Sequence, residues 1–220
     1  MSTQIREKLT LAVGKLSLTF DESTKNKFLL FIALLQKWNR VYNLTAIRSP
    51  EETLTHHILD ALTVVSPLDA LFAAEANQTP RILDVGSGGG IPGVVLAIAR
   101  PQWQITMIDA VAKKTAFVTQ AIIDLELKNA RAENGRIEAY RPAMRYDLIV
   151  ARAFSEMSTL IESSEMALAE RGCWAAMKGV FPEEEIARLP RGVRVACVEK
   201  LIVPELSAER HLVLLERNHG

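Results

Sequence analysis

The chain has 220 residues, of which 49% are hydrophobic and 24% are charged, with 26 basic and 26 acidic residues. This composition is that of an ordinary folded domain, and it excludes disordered, collagen-like and coiled-coil proteins. A formal net charge of zero lacks the positive surplus typical of nucleic-acid-binding proteins, so an RNA partner requires a local basic patch or a preformed particle.

No segment of the sequence reads as a membrane helix or a signal peptide. The richest apolar run spans 28–35, well short of the roughly 18 residues that a bilayer requires. The first ten residues lack the basic-then-apolar order of a secretory leader. Cys173 and Cys197 are too far apart for a redox or zinc pair, and no histidine cluster accompanies them. We therefore expect a cytoplasmic protein with no membrane partner and no bound metal.

Residues 1–78 have helical periodicity and are predicted to form an N-terminal helical cap. A capping-box spacing with Thr19 as the N-cap precedes a long run of apolar residues at helical intervals. Ser49 and Pro50 are a second start signal, with the serine as N-cap and the proline at the first helical position. The small and polar segment 73–80 is the best candidate for a linker.

After residue 80 the pattern changes to short apolar runs that alternate with helical segments. Predicted strands span 81–85, 104–108, 146–150, 173–177, 193–203 and 211–216, and predicted helices span 92–99, 113–127, 158–168 and a segment that opens at Pro182. Such alternation predicts a mainly parallel sheet covered on both faces, and the last two strands predict an antiparallel C-terminal edge hairpin. Residues 79–220 are thus expected to form one compact, doubly wound α/β domain.

The most informative segment, 84–93 (DVGSGGGIPG), lies where the first predicted strand ends and a helix begins. Glycines there permit turns closed to other residues and let the backbone approach a ligand at the carboxyl end of the sheet. Gly88, Gly90 and Gly93 fit the G-x-G-x-x-G pattern of dinucleotide sites, with Asp109 as the ribose-binding acid. That pattern indicates NAD.

S-adenosylmethionine is the competing cofactor for the same loop. Asp84 precedes the glycines, where a carboxylate repels a pyrophosphate and attracts an ammonium group. Pro92 occupies the helix entry, where a pyrophosphate requires bare amide groups. Asp84 and Asp109 both suit a ligand with an ammonium group and a ribose diol. These two acids, together with Gly88, are our candidates for binding S-adenosylmethionine.

The loop resembles the first motif of the Rossmann-like S-adenosylmethionine-dependent methyltransferases, and nearly the whole chain resembles one family of them. Further matching segments are KWNRVYNLT at 37–45, HHILD at 56–60, IDA at 108–110, GRIEAY at 135–140, ARAF at 151–154, MKG at 177–179 and ERHLVLLE at 209–216. This ordered set is similar to the bacterial ribosomal RNA small-subunit methyltransferase G family, also called the glucose-inhibited division protein B family.

The resemblance implies an enzyme that transfers a methyl group from S-adenosylmethionine to nitrogen-7 of one guanine in 16S ribosomal RNA, near the decoding site of the small subunit. It also implies which positions contact the cofactor. These match Gly86, Ile91, Ile137, Glu138 and Arg152 in this sequence.

The residues agree with that chemistry. Nitrogen-7 carries an in-plane lone pair and no hydrogen, so its methylation requires alignment and no general base. The segment after strand 146–150 reads ARAF, whereas methylation of an exocyclic amine calls for an Asn/Asp-Pro-Pro-Tyr element and methylation of pyrimidine carbon-5 calls for a cysteine nucleophile. Arg152 is the expected positioning residue, holding the cofactor carboxylate or a phosphate, and a surface pair with Glu156 is the alternative.

Five residues are candidates for RNA contact. Lys37, Arg40, Lys178 and Arg210 are expected to supply the local basic patch that a neutral protein needs. Phe154, close to the end of a strand, is the candidate for stacking on a flipped guanine.

His56 and His57 lie within helical reach of Asp60. We expect this polar group to tie the cap to the main domain, with a phosphate or cofactor contact as the alternative.

Three other functions stay open from the residues alone. They are a methyltransferase for a small metabolite with the cap as its lid, a nicotinamide dehydrogenase, and a non-catalytic ribosome-binding module. The favoured hypothesis is a monomer that acts on 16S ribosomal RNA in the small subunit or in an assembly intermediate.

Overall fold

The computed structural model describes residues 3–74, 78–154 and 156–218. The regular elements of its N-terminal part are all helices, as predicted, and residues 3–74 are called the helical cap below. They are α1 (Thr3–Lys15), α2 (Glu22–Tyr42), α3 (Pro50–Thr53), α4 (Asp60–Leu62) and α5 (Val65–Ala74), with a π-helical turn at Leu54–Leu59 between α3 and α4. Residues 75–77 of the predicted linker lie outside the described residues.

The two predicted helix starts in the cap have different outcomes. Asp21, not Thr19, is the N-cap of α2, and its Oδ1 accepts a hydrogen bond from the Thr24 amide at 2.7 Å. The prediction at Thr19 is wrong because an aspartate two residues later offers the same acceptor together with a charge that suits the helix dipole. Ser49 is confirmed as the N-cap of α3: its Oγ accepts from the Glu52 amide at 3.1 Å and donates to the Glu52 carboxylate at 3.0 Å.

The rest of the chain alternates strands and helices around one seven-stranded sheet. The strands are β1 (Arg81–Val85), β2 (Gln104–Asp109), β3 (Ala130–Asn134), β4 (Tyr146–Arg152), β5 (Leu168–Lys178), β6 (Val193–Leu201) and β7 (Arg210–Arg217). The helices are α6 (Gly93–Ala99), α7 (Ala112–Asp124), α8 (Met157–Ser164) and α9 (Glu183–Ala187).

The strand order in the sheet is β3-β2-β1-β4-β5-β7-β6. The first five strands pair in parallel, and β7 runs antiparallel to both of its neighbours, β5 and β6. The predicted parallel sheet with an antiparallel C-terminal pair is confirmed. β6 forms the edge, so the last strand in the sequence lies inside the sheet.

Strand β3 is not among the predicted strands. Its residues (ARAEN) lack the apolar run by which the other strands were predicted. They pair with β2 alone at the other edge of the sheet, where the side chains stay exposed or half-buried. An edge strand of this kind is held by its backbone hydrogen bonds rather than by apolar burial.

Two hydrophobic clusters flank the sheet. The larger cluster joins the apolar faces of the cap to α6 and α7, and it includes Leu9, Phe31 and Leu59 of the cap together with Phe117 of α7. The smaller cluster packs α8 against the opposite face. Phe31 is fully buried and stacks on Phe117 with ring centroids 6.2 Å apart. The cap therefore contributes to the main core of the protein.

One helical stretch, Pro50–Ala74, is long and apolar enough to cross a membrane by length and composition alone. Threonines, histidines, one serine and four acidic residues interrupt it, so it does not read as a continuous apolar run in the sequence. In the structure, 61% of the most apolar 18-residue portion of this stretch is buried inside the protein. That burial is typical of a core helix in a folded domain.

Phe31→Ala is expected to lower the free energy of unfolding by about 3–5 kcal/mol, because it removes a buried aromatic ring from the core shared by cap and sheet. Leu30→Ala on the same helix is the control: Leu30 is 43% exposed, and its truncation is expected to cost about 1 kcal/mol or less. Urea unfolding followed by circular dichroism measures both variants. Two separate transitions, with only one of them shifted by Phe31→Ala, would contradict a shared core.

Candidate cofactor and substrate site

The glycine loop turns back over the carboxyl ends of β1 and β2. Gly86, Gly88 and Gly90 have φ angles of +68°, +57° and +77°, values that favour glycine because a Cβ is strained there. The amides of Gly86 and Ser87 both donate to the carbonyl of Ile108, at 2.9 and 3.2 Å. The loop therefore lies directly on the end of β2, with Gly86 exposed at its tip.

Gly93 anchors the other end of the loop. A Cβ at this position would lie 2.4 Å from the side chain of Met107 and 2.8 Å from Oδ2 of Asp84, so any other residue would displace one of these side chains or the backbone. The Gly93 amide donates to the same Oδ2 of Asp84 at 2.8 Å. This hydrogen bond fixes the start of α6 against β1.

Asp84 is fully buried beneath the loop. Its Oδ1 makes no hydrogen bond within the described part of the chain. Burial raises the pKa of Asp84 to about 7, although the Gly93 amide and the positive charge of Arg152 act in the opposite direction. The carboxyl group thus offers one unsatisfied acceptor oxygen inside the protein, and a nearby cation would stabilise its ionised form.

Asp109, at the end of β2, holds the loop from the other side. Its Oδ2 accepts from the Gly88 amide at 2.9 Å, and its Oδ1 accepts from the Val111 amide at 2.8 Å. The ammonium group of Lys114 lies 3.9 Å from Oδ2. Because a carboxylate oxygen accepts more than one hydrogen bond, this residue can order the loop and still face a ligand.

Three further cofactor candidates flank the loop region. Ile91 is buried within the loop, and Ile137 is buried in a short 3-10 turn after β3, where it belongs to the smaller hydrophobic cluster. Glu138, the next residue, is exposed. The structure places this turn beyond the carboxyl end of β3, at the same end of the sheet as the glycine loop.

Arg152, at the end of β4, reaches across to the cap. Its Nη1 donates to the carbonyl of His56 at 3.0 Å and to Oδ2 of Asp60 at 3.3 Å, and both terminal nitrogens lie 3.3 Å from Nδ1 of His57. The alternative surface pair with Glu156 is therefore wrong: the carboxylate partner of Arg152 is Asp60 in the cap. The His-His-Asp group does link the cap to the sheet.

The protonation state of His57 follows from its partners. Nδ1 of His57 lies 3.3 Å from two nitrogens of Arg152, which only donate, and 3.1 Å from the carbonyl of His56, which only accepts, while Nε2 lies 2.8 Å from Oγ1 of Thr45. Burial, aided by the charge of Arg152, lowers the pKa of His57 to about 4. The imidazole is therefore neutral at physiological pH.

The four predicted basic RNA contacts form two groups rather than one patch. Lys178 and Arg210 line a cavity of about 340 Å³ together with Arg152 and Asp60. Lys37 and Arg40 are exposed on α2 and line a different cavity, between α2 and the start of α3. The two cavities share no lining residue within the described ranges: Lys178 and Arg210 lie together with Arg152, whereas Lys37 and Arg40 lie beside α3.

Phe154 lies beside the loop. The position of a Cβ on Gly86 would be 3.9 Å from Cδ2 of the Phe154 ring. The backbone carbonyl of Phe154 accepts from Nζ of Lys178 at 3.1 Å, and the same ammonium group pairs with Glu185 at 2.8 Å. The ring therefore lies beside Gly86 at the start of the glycine loop, and it packs against the smaller hydrophobic cluster.

Sequence reasoning named Asp60 as a partner of the histidines and missed its larger role. The residue is 3% exposed, and its carboxylate also accepts from Nε of Arg210 at 2.8 Å. A carboxylate within an otherwise apolar helical stretch was the available signal, since buried acids are almost always paired. Its partners come from β4 and β7, far away in sequence.

Residues 24–213 match the family described as rRNA small subunit methyltransferase G. The chain belongs to this family. A protein of Neisseria meningitidis serogroup B named Ribosomal RNA small subunit methyltransferase G is 44% identical over 212 residues, covering 96% of this chain and 98% of the relative. One of Burkholderia cenocepacia with the same name is 48% identical over 208 residues, covering 93% and 89%. The resemblance inferred from the motifs is confirmed.

Solved structures agree in fold. TrmN from Thermus thermophilus has a TM-score of 0.53 at 16% identity, covering 74% of this chain and 53% of its own. A SAM-dependent methyltransferase from Thiobacillus denitrificans, in complex with S-adenosyl-L-homocysteine, has a TM-score of 0.52 at 14% identity, covering 70% and 91%. The predicted Rossmann-like methyltransferase sheet is confirmed, and the nicotinamide dehydrogenase alternative is set aside.

Acidification is expected to destabilise the protein through His57. Its pKa is about 4 in the folded state against 6.5 for an unperturbed histidine, so the unfolded state binds more protons between these values and stability falls as pH drops through them. The loss reaches at most about 3 kcal/mol. His57→Gln removes this contribution, so the stability difference between wild type and variant should shrink from pH 7 to pH 4.5 in urea unfolding.

Asp84 titrates with the opposite sign. Its pKa is raised to about 7, so it contributes stability at low pH that is lost as pH rises toward 7. Because Asp84 is present in both proteins, its contribution cancels in the difference between wild type and His57→Gln. A difference that stays constant from pH 7 to pH 4.5 would contradict the neutral, buried state of His57.

Proposed function

We propose that the protein transfers a methyl group from S-adenosylmethionine to nitrogen-7 of a guanine in 16S ribosomal RNA. The observation that carries the proposal is the family match over residues 24–213, since this span contains the whole glycine loop and every residue that lines the cavity beside Arg152. The substrate is the RNA in the small subunit or in an assembly intermediate, the protein acts as a monomer, and it works in the cytoplasm.

The residues of the loop suit this cofactor. When bound, S-adenosylmethionine supplies a methyl group made electrophilic by its sulfonium. The unsatisfied Oδ1 of Asp84 is an acceptor for an ammonium group, and Asp109 is an acceptor for the ribose hydroxyls. The backbone at Gly86 and Gly88 has no side chain that would block a close approach.

Three other positions complete the proposed cofactor site. Ile91 and Ile137 are buried apolar surfaces, which suit an adenine ring, and Glu138 adds an exposed carboxylate at the rim. We assign residues 79–220 to the cofactor-binding domain and 1–78 to the cap.

The chain supplies alignment rather than acid-base catalysis. Nitrogen-7 of guanine is the nucleophile and attacks the methyl carbon with its lone pair. Because nitrogen-7 carries no hydrogen, no proton has to be removed from it. The charged groups that line the cavity are the cations Arg152, Lys178 and Arg210 and the carboxylate of Asp60. The cations are placed to hold phosphate or the cofactor carboxylate, and Phe154 is placed to stack on an extruded base.

Cofactor affinity is expected to rise with pH through Asp84. Ionisation of a carboxyl with a pKa of about 7 favours an ammonium ligand, so the Kd of S-adenosylhomocysteine should fall by up to about tenfold per pH unit below 7 and level off above it. Isothermal titration between pH 5.5 and 8.5 measures this, and Asp84→Asn should abolish the slope.

The matched control ligand is 5′-methylthioadenosine, which keeps the nucleoside and lacks the amino-acid group. Its Kd should not change across the same pH range in the wild-type protein. An equal slope for both ligands would show that Asp84 does not face the ammonium group.

The decisive experiment is methyl transfer from labelled S-adenosylmethionine to small ribosomal subunits from cells that lack the protein, with naked 16S RNA alongside. We expect label at one guanine, mapped by chain cleavage at 7-methylguanine. Arg152→Ala should lower kcat/KM by about 100-fold or more, as expected for the loss of a charged positioning group. Arg194→Ala is the control. Arg194 lies on the edge strand β6 and pairs with Glu216 of β7, so this variant should leave the rate unchanged.

Two results would count against the proposal. Absence of label from both RNA substrates, in a protein that still binds the cofactor, would remove the ribosomal assignment and favour a small-metabolite acceptor. Tight binding to the particle without any transfer, unaffected by Arg152→Ala, would indicate a non-catalytic ribosome-binding module.

A further inference from the structure

The helix of the cap changes its hydrogen-bond pattern where it meets Arg152. In the π-helical turn Leu54–Leu59, the amide of Asp60 donates to the carbonyls of Thr55 and His57. In an α-helix this amide would donate to the carbonyl of His56, which here accepts from Nη1 of Arg152 at 3.0 Å. The irregular turn therefore offers a backbone acceptor to a side chain from the sheet, a use typical of π-helical turns at functional sites.

The same turn places one carboxylate between two guanidinium groups. Oδ2 of Asp60 accepts from Arg152 at 3.3 Å, and Oδ1 accepts from Nε of Arg210 at 2.8 Å. Asp60 has a side-chain exposure of 4%, whereas the two arginines are 23% and 24% exposed. The carboxylate is thus enclosed, and the cations reach the surface on either side of it.

Each guanidinium group keeps one nitrogen that makes no hydrogen bond with the described residues. For Arg152 this nitrogen is Nε, since all of its contacts come from Nη1 and Nη2. Nη1 of Arg210 donates to the carbonyl of Glu209 at 2.7 Å, and its Nη2 makes no hydrogen bond with the residues that the structure describes. Both arginines line the cavity of about 340 Å³ that Lys178 also lines. Since Lys178 is already paired with Glu185, the two guanidinium groups and their one shared carboxylate leave an excess of one positive charge.

We propose that Asp60 is a positioning residue, which turns the guanidinium groups of Arg152 and Arg210 toward the cavity so that together they hold a phosphate of the substrate RNA. This inference rests on the proposed function. Its physical basis is that two cations bound to the same carboxylate repel each other and need that shared anion to stay in a fixed arrangement. A guanidinium group that keeps unpaired N–H donors can still bind a phosphate with them.

A purely electrostatic effect of Asp60 and a positioning role of Asp60 predict opposite results for the variant Asp60→Asn. The variant has nearly the same shape and loses one negative charge, so charge alone would strengthen the binding of an anion beside it. Positioning requires the reverse, because the amide group cannot hold two guanidinium groups with charge-assisted hydrogen bonds. The sign of the effect therefore separates the two explanations.

The first test measures methyl transfer to small ribosomal subunits. For Asp60→Asn we expect KM for the particle to rise by about tenfold or more and kcat to change by less than about threefold, with the Kd of S-adenosylhomocysteine unchanged within about twofold. Asp69→Asn is the matched control. Asp69 of α5 pairs with Arg100, so it is a second ion pair between cap and α/β domain, and its loss should leave KM unchanged.

The second test uses inorganic phosphate as the probe and does not depend on RNA. In ¹⁵N-labelled protein, the side-chain Nε–Hε resonances of Arg152 and Arg210 should shift in a saturable manner on addition of phosphate. In Asp60→Asn the phosphate Kd should rise by about fivefold or more, despite the additional positive charge. The same spectra of Asp69→Asn should give the wild-type Kd.

Each of three results would overturn the inference. They are a KM in Asp60→Asn that is equal to or below that of wild type, an equal rise of KM in Asp60→Asn and Asp69→Asn, and phosphate shifts that are absent from the wild type or undiminished in Asp60→Asn. Failure of the proposed function looks different: the wild type itself would methylate neither RNA substrate, and the phosphate titration would then decide the role of Asp60 by itself.

Discussion

The site depends on the hydrogen bond between the Gly93 amide and the buried carboxyl group of Asp84. This contact forms because Gly93 has no side chain, which lets α6 begin directly against β1 and Met107. The chain between the two residues must then reverse within a few positions, and glycines with positive φ make the reversal possible. One close approach of the Gly93 backbone to the side chains of Asp84 and Met107 therefore sets the shape of the loop and leaves the other oxygen of Asp84 as an acceptor beneath it.

The cap completes what the sheet begins. The strands bring Arg152 and Arg210 to one end of the sheet, and the cap supplies the carboxylate and the backbone carbonyl that hold them. Leu35 of α2 also lies within reach of the loop, 3.1 Å from the position of a Cβ on Gly89. Since the cap and α6 and α7 share one hydrophobic core, packing in the cap and the geometry of the site are physically connected.

Local signals in the sequence predicted the features that local physics determines. Six strands, the helical cap and the N-cap at Ser49 follow from hydrophobic periodicity and capping chemistry. Strand β3 was not predicted, because this edge strand is held by backbone pairing with β2 and not by apolar burial. The π-helical turn and the two ion pairs of Asp60 were not predicted, because Arg152 on β4 and Arg210 on β7 are 92 and 150 residues away from Asp60. A carboxylate in a largely apolar helical stretch indicates that a partner exists, but a single sequence does not identify a partner so far away.

The position of β7 has a consequence for how the protein comes to be active. β6 pairs within the described sheet with β7 alone, and β7 carries Arg210 at its first position. During synthesis, β6 emerges before β7, the strand that it pairs with in the described sheet, and before Arg210 at the start of β7. If Arg152 and Arg210 hold phosphate as proposed, a nascent chain that already has its glycine loop and its cap still lacks one of the two guanidinium groups of that site.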